Sequence, residues 1–321
     1  VRLRTLYSGI SAGTELTAYR GSNPYLHKRW DAEHRLFLPT DSPTQPYPVS
    51  GWGYEEVGEV VEIGDDTTGV RVGDVVYGTW GHRTHHIVAE ESAAQRLLPA
   101  GLEPILGIFS QIGSIALNGV HDARVRIGET VAVFGLGVPG QIVAQLVRRS
   151  GAQVIGVDLM PSRLEKAQDL GAIDVGLNPQ AGSPAERIKE LTDGRGADVS
   201  IEVSGSTAAL HEAIRATAYS AKVVALGFFQ GQASKLYLGE EFHHNRINLV
   251  CSQISGVDPQ LTYRWDRDRL VRTFMRLQVE GVLDLKPLIS HVIPFVEAAR
   301  AFRLLDETPE AALQVVLDFP V

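Results

Sequence analysis

The chain has 321 residues, too many for one ordinary hydrophobic core, so two domains are expected. Apolar residues make up 44% and charged residues 21%, the balance of a soluble globular protein. The net charge of -8 is spread along the chain and leaves no basic surface for nucleic acid or an anionic membrane. No run approaches the roughly 18 apolar residues of a membrane span. No secretory leader pattern is present either, so a cytoplasmic address is expected. Val1 already lies in a strand-like alternation with Leu3 and Thr5, so the numbering is expected to begin after the true N-terminus. The single cysteine, Cys251, excludes an intrachain disulfide and a four-cysteine zinc lobe. Its apolar neighbours Ile247, Leu249 and Val250 predict a buried, inert thiol.

The first ~95 residues read as β-rich, with alternating runs bounded by glycine at Gly58–Gly64 and Val70–Tyr77. Between Arg20 and Pro48 lies a stretch without a clean period, holding Tyr25, Trp30, Phe37 and Tyr47. It reads as a long surface excursion. From about Thr130 strands and helices alternate. Strands are predicted at Thr130–Phe134, Gln153–Val157, Ile173–Leu177, Ala197–Val203, Lys222–Gly227 and Ile247–Gln253. Helices are predicted at Gly140–Arg149, Ser162–Leu170, Pro184–Leu191 and Thr207–Ala218. Short apolar strands alternating with helices mean a parallel, doubly wound sheet. The tail from about Pro287 returns to a strand-like style, with one more helix at Val296–Leu305 and a last strand ending at Phe319.

Gly135-Leu-Gly137-Val138-Pro139-Gly140 follows the apolar run Val131–Phe134 and opens an amphipathic helix. Gly135 permits a tight turn, Gly137 lets the backbone approach a pyrophosphate, and Gly140 lets helix and strand pack closely. The helix start, with Val138 and Pro139, offers its end to phosphate charge. Asp158 stands 23 positions after Gly135, at the end of the next strand. It suits the ribose hydroxyls of NAD and would repel the 2′-phosphate of NADP. Arg163 is placed to flank the adenine. Ser204, Gly205 and Gly227, at the ends of later strands, complete the candidate cofactor contacts.

With these motifs the sequence resembles the medium-chain dehydrogenase/reductase superfamily. The resemblance rests on Gly9–Glu15, Gly53–Gly58, Val72–Val76, the glycine turn and Asp158, and it covers nearly the whole chain. It implies a GroES-like β-rich domain plus a Rossmann doubly wound parallel sheet. The expected boundaries are a catalytic domain over 1–107, completed by 287–321, and an NAD-binding domain over 108–286. It also implies a homodimer, joined through the edge strand Ile247–Gln253. Locally, Ser8–Glu15 and Gly53–Gly58 are similar to the branch containing the bacteriochlorophyllide hydroxyethyl dehydrogenases, a likeness that does not reach the Arg20–Pro48 excursion.

The zinc-dependent members of the superfamily carry ligands that this sequence lacks. Ser11-Ala12 stand where a cysteine is expected, Tyr54 stands in place of a histidine, and only Glu55 survives. Zinc needs about three N, S or O ligands, so no metal is expected. His82, His85 and His86 form a cluster, with a second pair at His243-His244. Strand alternation would point His85 and His86 to opposite faces. Without a metal, hydroxyl groups must handle charge and protons on the substrate oxygen. Thr14 and Tyr54 are the leading catalytic candidates, with Glu55 and His85 behind them. The expected activity is hydride transfer between NAD(H) and a secondary alcohol or ketone, such as a sugar or polyol. Two other readings remain: a zinc-free quinone or enoyl reductase, and a non-catalytic NAD-binding sensor.

Overall fold

The computed structural model describes residues 1–319. Along the chain the elements are β1 (Arg2–Ile10), α1 (Ala12–Tyr19), β2 (Lys28–Asp31), β3 (Leu36–Pro39), β4 (Glu56–Glu62), β5 (Val75–Gly78), β6 (His85–Ile87) and α2 (Glu90–Ala94). Next come α3 (Phe109–Ala123), β7 (Thr130–Phe134), α4 (Val138–Arg149), β8 (Gln153–Val157), α5 (Pro161–Asp169), β9 (Val175–Leu177) and α6 (Pro184–Leu191). The last part holds β10 (Ala197–Glu202), α7 (Thr207–Ala216), β11 (Thr217–Ala225), β12 (Asn248–Cys251), α8 (Arg267–Val279), β13 (Ile289–Pro294), α9 (Ala298–Glu307) and β14 (Gln314–Asp318).

The chain divides into two compact units. The first comprises Val1–Phe109, Gln230–Gln232 and the chain from Ile289 onward. Its sheet runs β13-β14-β1-β4-β5, with β6 added to β1. Alternation along β1 sends Leu3 to a core with Val60, Val76 and Trp80, while Ile10 at its far end packs with Leu16, Val315 and Leu317. The Arg20–Pro48 excursion contains a small hairpin, β2-β3, on which Phe37 packs tilted against Trp30 and edge to face with Tyr25 of the preceding turn. That pairing supplies the order that periodicity alone did not reveal.

The second unit holds an all-parallel sheet in the order β12-β11-β10-β7-β8-β9, the Rossmann arrangement. Every residue of β7 is buried, as a central parallel strand covered on both faces must be. On α4, Ile142, Val143, Leu146 and Val147 are buried on the sheet-facing stripe, and Gly151 (φ 88°) follows its end. No helix among the described residues is long and apolar enough to cross a membrane.

Four helices escaped the sequence pattern: α1, the five-residue α2, α3 and α8. Glycines dilute the period of α1 and α3, and α8 is rich in arginine. The Val296–Leu305 expectation shifts to α9, because Phe295–Glu297 form a separate 3₁₀ turn. The buried state expected for Cys251 is not what the fold produces. β12 is the outer strand of its sheet, paired only with β11, and the thiol is exposed.

Gly113 on α3 faces the ring of Phe274 on α8, and a Cβ there would overlap the ring. Overpacking a core costs about 1–3 kcal/mol, which outweighs the gain of about 1 kcal/mol in helix propensity. Gly113→Ala should therefore lower stability in chemical denaturation. A rise in the midpoint would show that α3 and α8 are packed more loosely.

Candidate functional site

In the second unit the glycine turn has the geometry that the sequence motif requires. Gly135 adopts φ 93°, and its N–H donates to the Val157 carbonyl at 2.8 Å, tying β7 to β8. A Cβ at Gly135 would meet the Ser204 backbone nitrogen at 2.8 Å, and one at Gly140 would collide with the Gly135 carbonyl oxygen. At Gly137 the conformation is extended, and no side chain caps the start of α4. The Val138 and Gly140 N–H groups at this helix end are thus free of a side-chain cap; Pro139, between them, has no N–H. This is a fitting cradle for a dinucleotide pyrophosphate.

Asp158 follows β8 directly and is buried. One of its oxygens accepts the Leu136 N–H at 2.7 Å, and the other accepts the Met160 N–H at 2.8 Å. It therefore stiffens the glycine turn, and each oxygen retains a lone pair for a further donor. Arg163 Nη1 lies 4.0 Å from it. Gln141 ties this segment together by donating to the carbonyls of Leu136 and Arg163.

Glu202, at the end of β10, was not singled out by its sequence context. It is buried and accepts N–H groups from Ser204 (2.8 Å) and Gly205 (3.1 Å), together with a short hydrogen bond from the Ser204 hydroxyl. Burial pushes its carboxyl up to about 7, and these donors only partly offset the shift. Gly205 (φ 72°) and Gly227 are so close that a Cβ on Gly227 would collide with the Gly205 nitrogen. All these groups sit at the carboxyl ends of the parallel strands, where ligands of such sheets bind.

The first unit carries a buried polar chain. Glu15 accepts the Ser11 N–H at 2.8 Å and meets His82 Nε2 at 2.6 Å. His82 Nδ1 lies 2.7 Å from the Ser8 hydroxyl, which donates to Glu56 at 3.0 Å. Glu56 also accepts the Trp80 N–H at 2.6 Å. Burial pushes the His82 imidazole down, but the carboxylates of Glu15 and Glu56 override this and hold it above the ordinary histidine value. Burial raises Glu56 despite its donors. Glu55 is raised well above the usual carboxylate range by burial and by its neighbours Glu15 and Glu56.

Of the catalytic candidates, the structure brings Tyr54 and Thr14 together. The Tyr54 hydroxyl makes a short hydrogen bond with Ser11 Oγ and donates to Thr14 Oγ1 at 3.4 Å. Burial and the neighbouring Glu55 raise the Tyr54 phenol, so it stays protonated and acts as a donor. Glu55 points inward and accepts from Gln314 on β14 at 3.2 Å. His85 is exposed on β6 opposite Arg4, apart from this group, while His86 stacks on Trp80. The histidine that joins the polar chain is His82, through Glu15, which lies 67 positions away in sequence. Among the described residues, the one group of three metal-ligand side chains within reach of each other is His211, Glu240 and Glu241, in the second unit.

A family model described as zinc-binding dehydrogenase matches residues 139–267. The D-guloside 3-dehydrogenase of Escherichia coli (strain K12) is 33% identical over 99% of this chain and 93% of its own length. The (R,R)-butanediol dehydrogenase of Bacillus subtilis (strain 168) is 29% identical over 80% of this chain and 76% of its own. Among solved structures, the 2R,3R-butanediol dehydrogenase of Bacillus subtilis superposes with a TM-score of 0.77 at 22% identity, covering 100% of this chain and 92% of that one. The chain belongs to the zinc-binding, alcohol dehydrogenase-like family of the medium-chain dehydrogenase/reductase superfamily. It is an alcohol dehydrogenase-like oxidoreductase.

Glu202 gives a pH prediction for stability. Its folded pKa of about 7 exceeds the ordinary 4.5, so between those values the folded state binds more protons than the unfolded chain. Its contribution is therefore lost as pH rises through that window and is constant above it. Glu202→Gln should remove this decline. Melting temperatures of both proteins from pH 4.5 to above pH 7 should diverge with pH, and a constant difference would overturn the assignment.

Proposed function

We propose that this protein is an NAD(H)-dependent, zinc-independent dehydrogenase that interconverts a secondary alcohol and a ketone on a sugar or polyol. The observation that carries the reading is the joined hydroxyl group Ser11–Tyr54–Thr14, at positions that the sequence resemblance matches to the metal ligands and relay hydroxyl of zinc-dependent relatives. These residues do not suit zinc. Ser11 and Tyr54 are bonded to each other, a phenol raised above its usual pKa is a poor ligand, and Glu55 is turned to Gln314. They suit hydrogen bonding to a substrate oxygen. Tyr54 turns its O–H from the long contact with Thr14 to the carbonyl oxygen on which negative charge develops during reduction, while Ser11 orients the phenol. A sugar or polyol substrate is supported by the guloside and butanediol dehydrogenases among the relatives. The exposed edge strand β12 supports pairing with a second copy of the chain.

NAD in preference to NADP is supported by Asp158, a buried carboxylate beside the glycine turn. A 2′-phosphate there would face a like charge and a desolvated site. NADH should bind about tenfold or more tightly than NADPH. Asp158→Ala should narrow that gap, at some cost in turn rigidity, when both cofactors are titrated by fluorescence. Equal affinities in the unaltered protein would refute the preference.

Tyr54→Phe removes the hydrogen bond to the substrate oxygen and should lower kcat about 100-fold, with cofactor affinity kept. Treatment with a strong chelator should leave the rate of the unaltered protein intact. A rate lost on chelation and restored by zinc would instead show that a catalytic metal is assembled, and the role given to Tyr54 would fall.

A further inference from the structure

The connection between β11 and β12 lies against one face of α7. Thr207, His211 and Arg215 recur every fourth residue along α7 and so share that face. The Thr207 hydroxyl donates to the Ser234 carbonyl at 2.5 Å, and Arg215 Nε donates to Glu241 at 3.3 Å. His211, between them, makes no such bond. Its Nε2 stands 3.9 Å from Glu240, beyond hydrogen-bond reach, and its Nδ1 is buried without a partner. The ring is held in place by Tyr237, which packs edge-on against it with centroids 5.2 Å apart.

Glu240 and Glu241 are consecutive, and consecutive side chains of a regular helix diverge. The backbone leaves helical geometry at Glu240 (φ -97°, ψ -125°), and both carboxylates reach His211. One ligand atom from each of the three residues lies within 4.8 Å of the others. Glu241 gives one oxygen to Arg215, while the other is buried with no partner. The site thus holds an imidazole nitrogen and a carboxylate oxygen that are removed from water and unsatisfied, which costs free energy unless something fills the gap. Charge points the same way. Glu186, Glu212 and Glu241 share Arg215, and Lys189 is a further cation near Glu241. With Glu240 added, carboxylates outnumber the cations.

An imidazole lone pair facing two carboxylates calls for a species that accepts electron pairs and carries positive charge. We propose that His211, Glu240 and Glu241 form a binding site for a divalent transition-metal ion of the zinc class, with water in the remaining coordination positions. The nitrogen ligand selects against magnesium and calcium, which favour oxygen throughout. Zinc bonds to imidazole and carboxylate run about 2.0–2.2 Å, so the ligand atoms must draw together on binding. Glu240 is exposed and Glu241 partly so, which leaves both side chains room to rotate inward. The ion clips the β11–β12 connection to the middle of α7, completing the row that Thr207 and Arg215 begin. This is a structural role. The ligands belong to the second unit and the hydroxyl group around Tyr54 to the first, so the metal-free reading of that group is unaffected.

The test uses the full chain, stripped of metal with a chelator and then titrated with zinc chloride or magnesium chloride by calorimetry. The stripped protein should take up about one zinc ion per chain at this site. Its melting temperature should rise by several degrees with zinc and not with magnesium. Glu240→Gln alters an exposed side chain and should weaken zinc binding about tenfold or more. His211→Gln should weaken it at least as far and shrink the zinc-induced rise in melting temperature. If His211→Gln melts lower than the unaltered protein without metal, Glu240→Gln alone decides. His243→Gln should change neither readout, because it tests adventitious uptake by the neighbouring His243-His244 pair. No saturable zinc uptake, an affinity unchanged in Glu240→Gln, uptake lost in His243→Gln, or an equal response to magnesium would overturn the site. Neither readout depends on turnover, so the metal site and the dehydrogenase reading can fail independently.

Discussion

The first unit depends on how three buried, mutually repelling carboxyl groups are accommodated, Glu15 from α1 and Glu55 and Glu56 from the entry to β4. Glu15, Glu55 and Glu56 are all removed from solvent, and like charges at such separation cannot all ionise. The fold resolves this unequally. Glu15 meets an imidazole that its own field helps to protonate, Glu56 takes a hydroxyl and a backbone N–H, and Glu55 is left with one amide donor and is held toward its neutral form. Because breaking such a network strands a charge in a medium of low polarity, its members hold β1, β4, α1 and the turn after β5 in one arrangement. The hydroxyl group of Ser11, Tyr54 and Thr14 is built on this base: Ser11 is anchored by its N–H to Glu15, and Tyr54 immediately precedes Glu55 and Glu56.

The second unit is organised by backbone proximity rather than by charge. Gly135, Gly140, Gly205 and Gly227 each occupy places where a side chain would strike main-chain atoms. Closing those gaps brings the ends of β7, β10 and β11 together with the start of α4. The buried Glu202 then bridges the loops after β10, and Asp158 bridges the turn after β7 to the segment after β8. A cradle assembled from main-chain N–H groups suits phosphate, whose charge is large and whose recognition needs little side-chain chemistry. In the proposed reading the two units divide the work: one presents fixed dipoles for a nucleotide, and the other presents groups that hold or exchange protons.

Some of this was legible in the sequence because it is local. The strands Thr130–Phe134 and Gln153–Val157, the helix Pro184–Leu191 and the glycine turn each follow from apolar period and glycine position within a short window. The placing of Tyr54 beside Thr14 was legible through motif resemblance. Other features were not. The helices α1, α3 and α8 lack a clean stripe, and tertiary packing, such as Phe274 against Gly113, takes the place of the missing pattern. Cys251 looked buried because its neighbours are apolar, but position at a sheet edge decides its exposure.

The sequence by itself determined the strand–helix alternation and the glycine turn with its acidic partner, since each is written in residue type and short spacing. Only the tertiary structure decided which polar groups work together. His82 rather than His85 joins the buried carboxylates, because β6 carries His85 outward while the turn at Gly81 brings His82 beneath α1, 67 residues from its partner Glu15. It likewise turned Glu55 to Gln314, 259 residues distant, and brought α1 and α9, from opposite ends of the chain, to line one open cleft. Hydrogen bonds and desolvation act through space over a few ångströms, and no spacing within a single element encodes which distant strands will be brought that close.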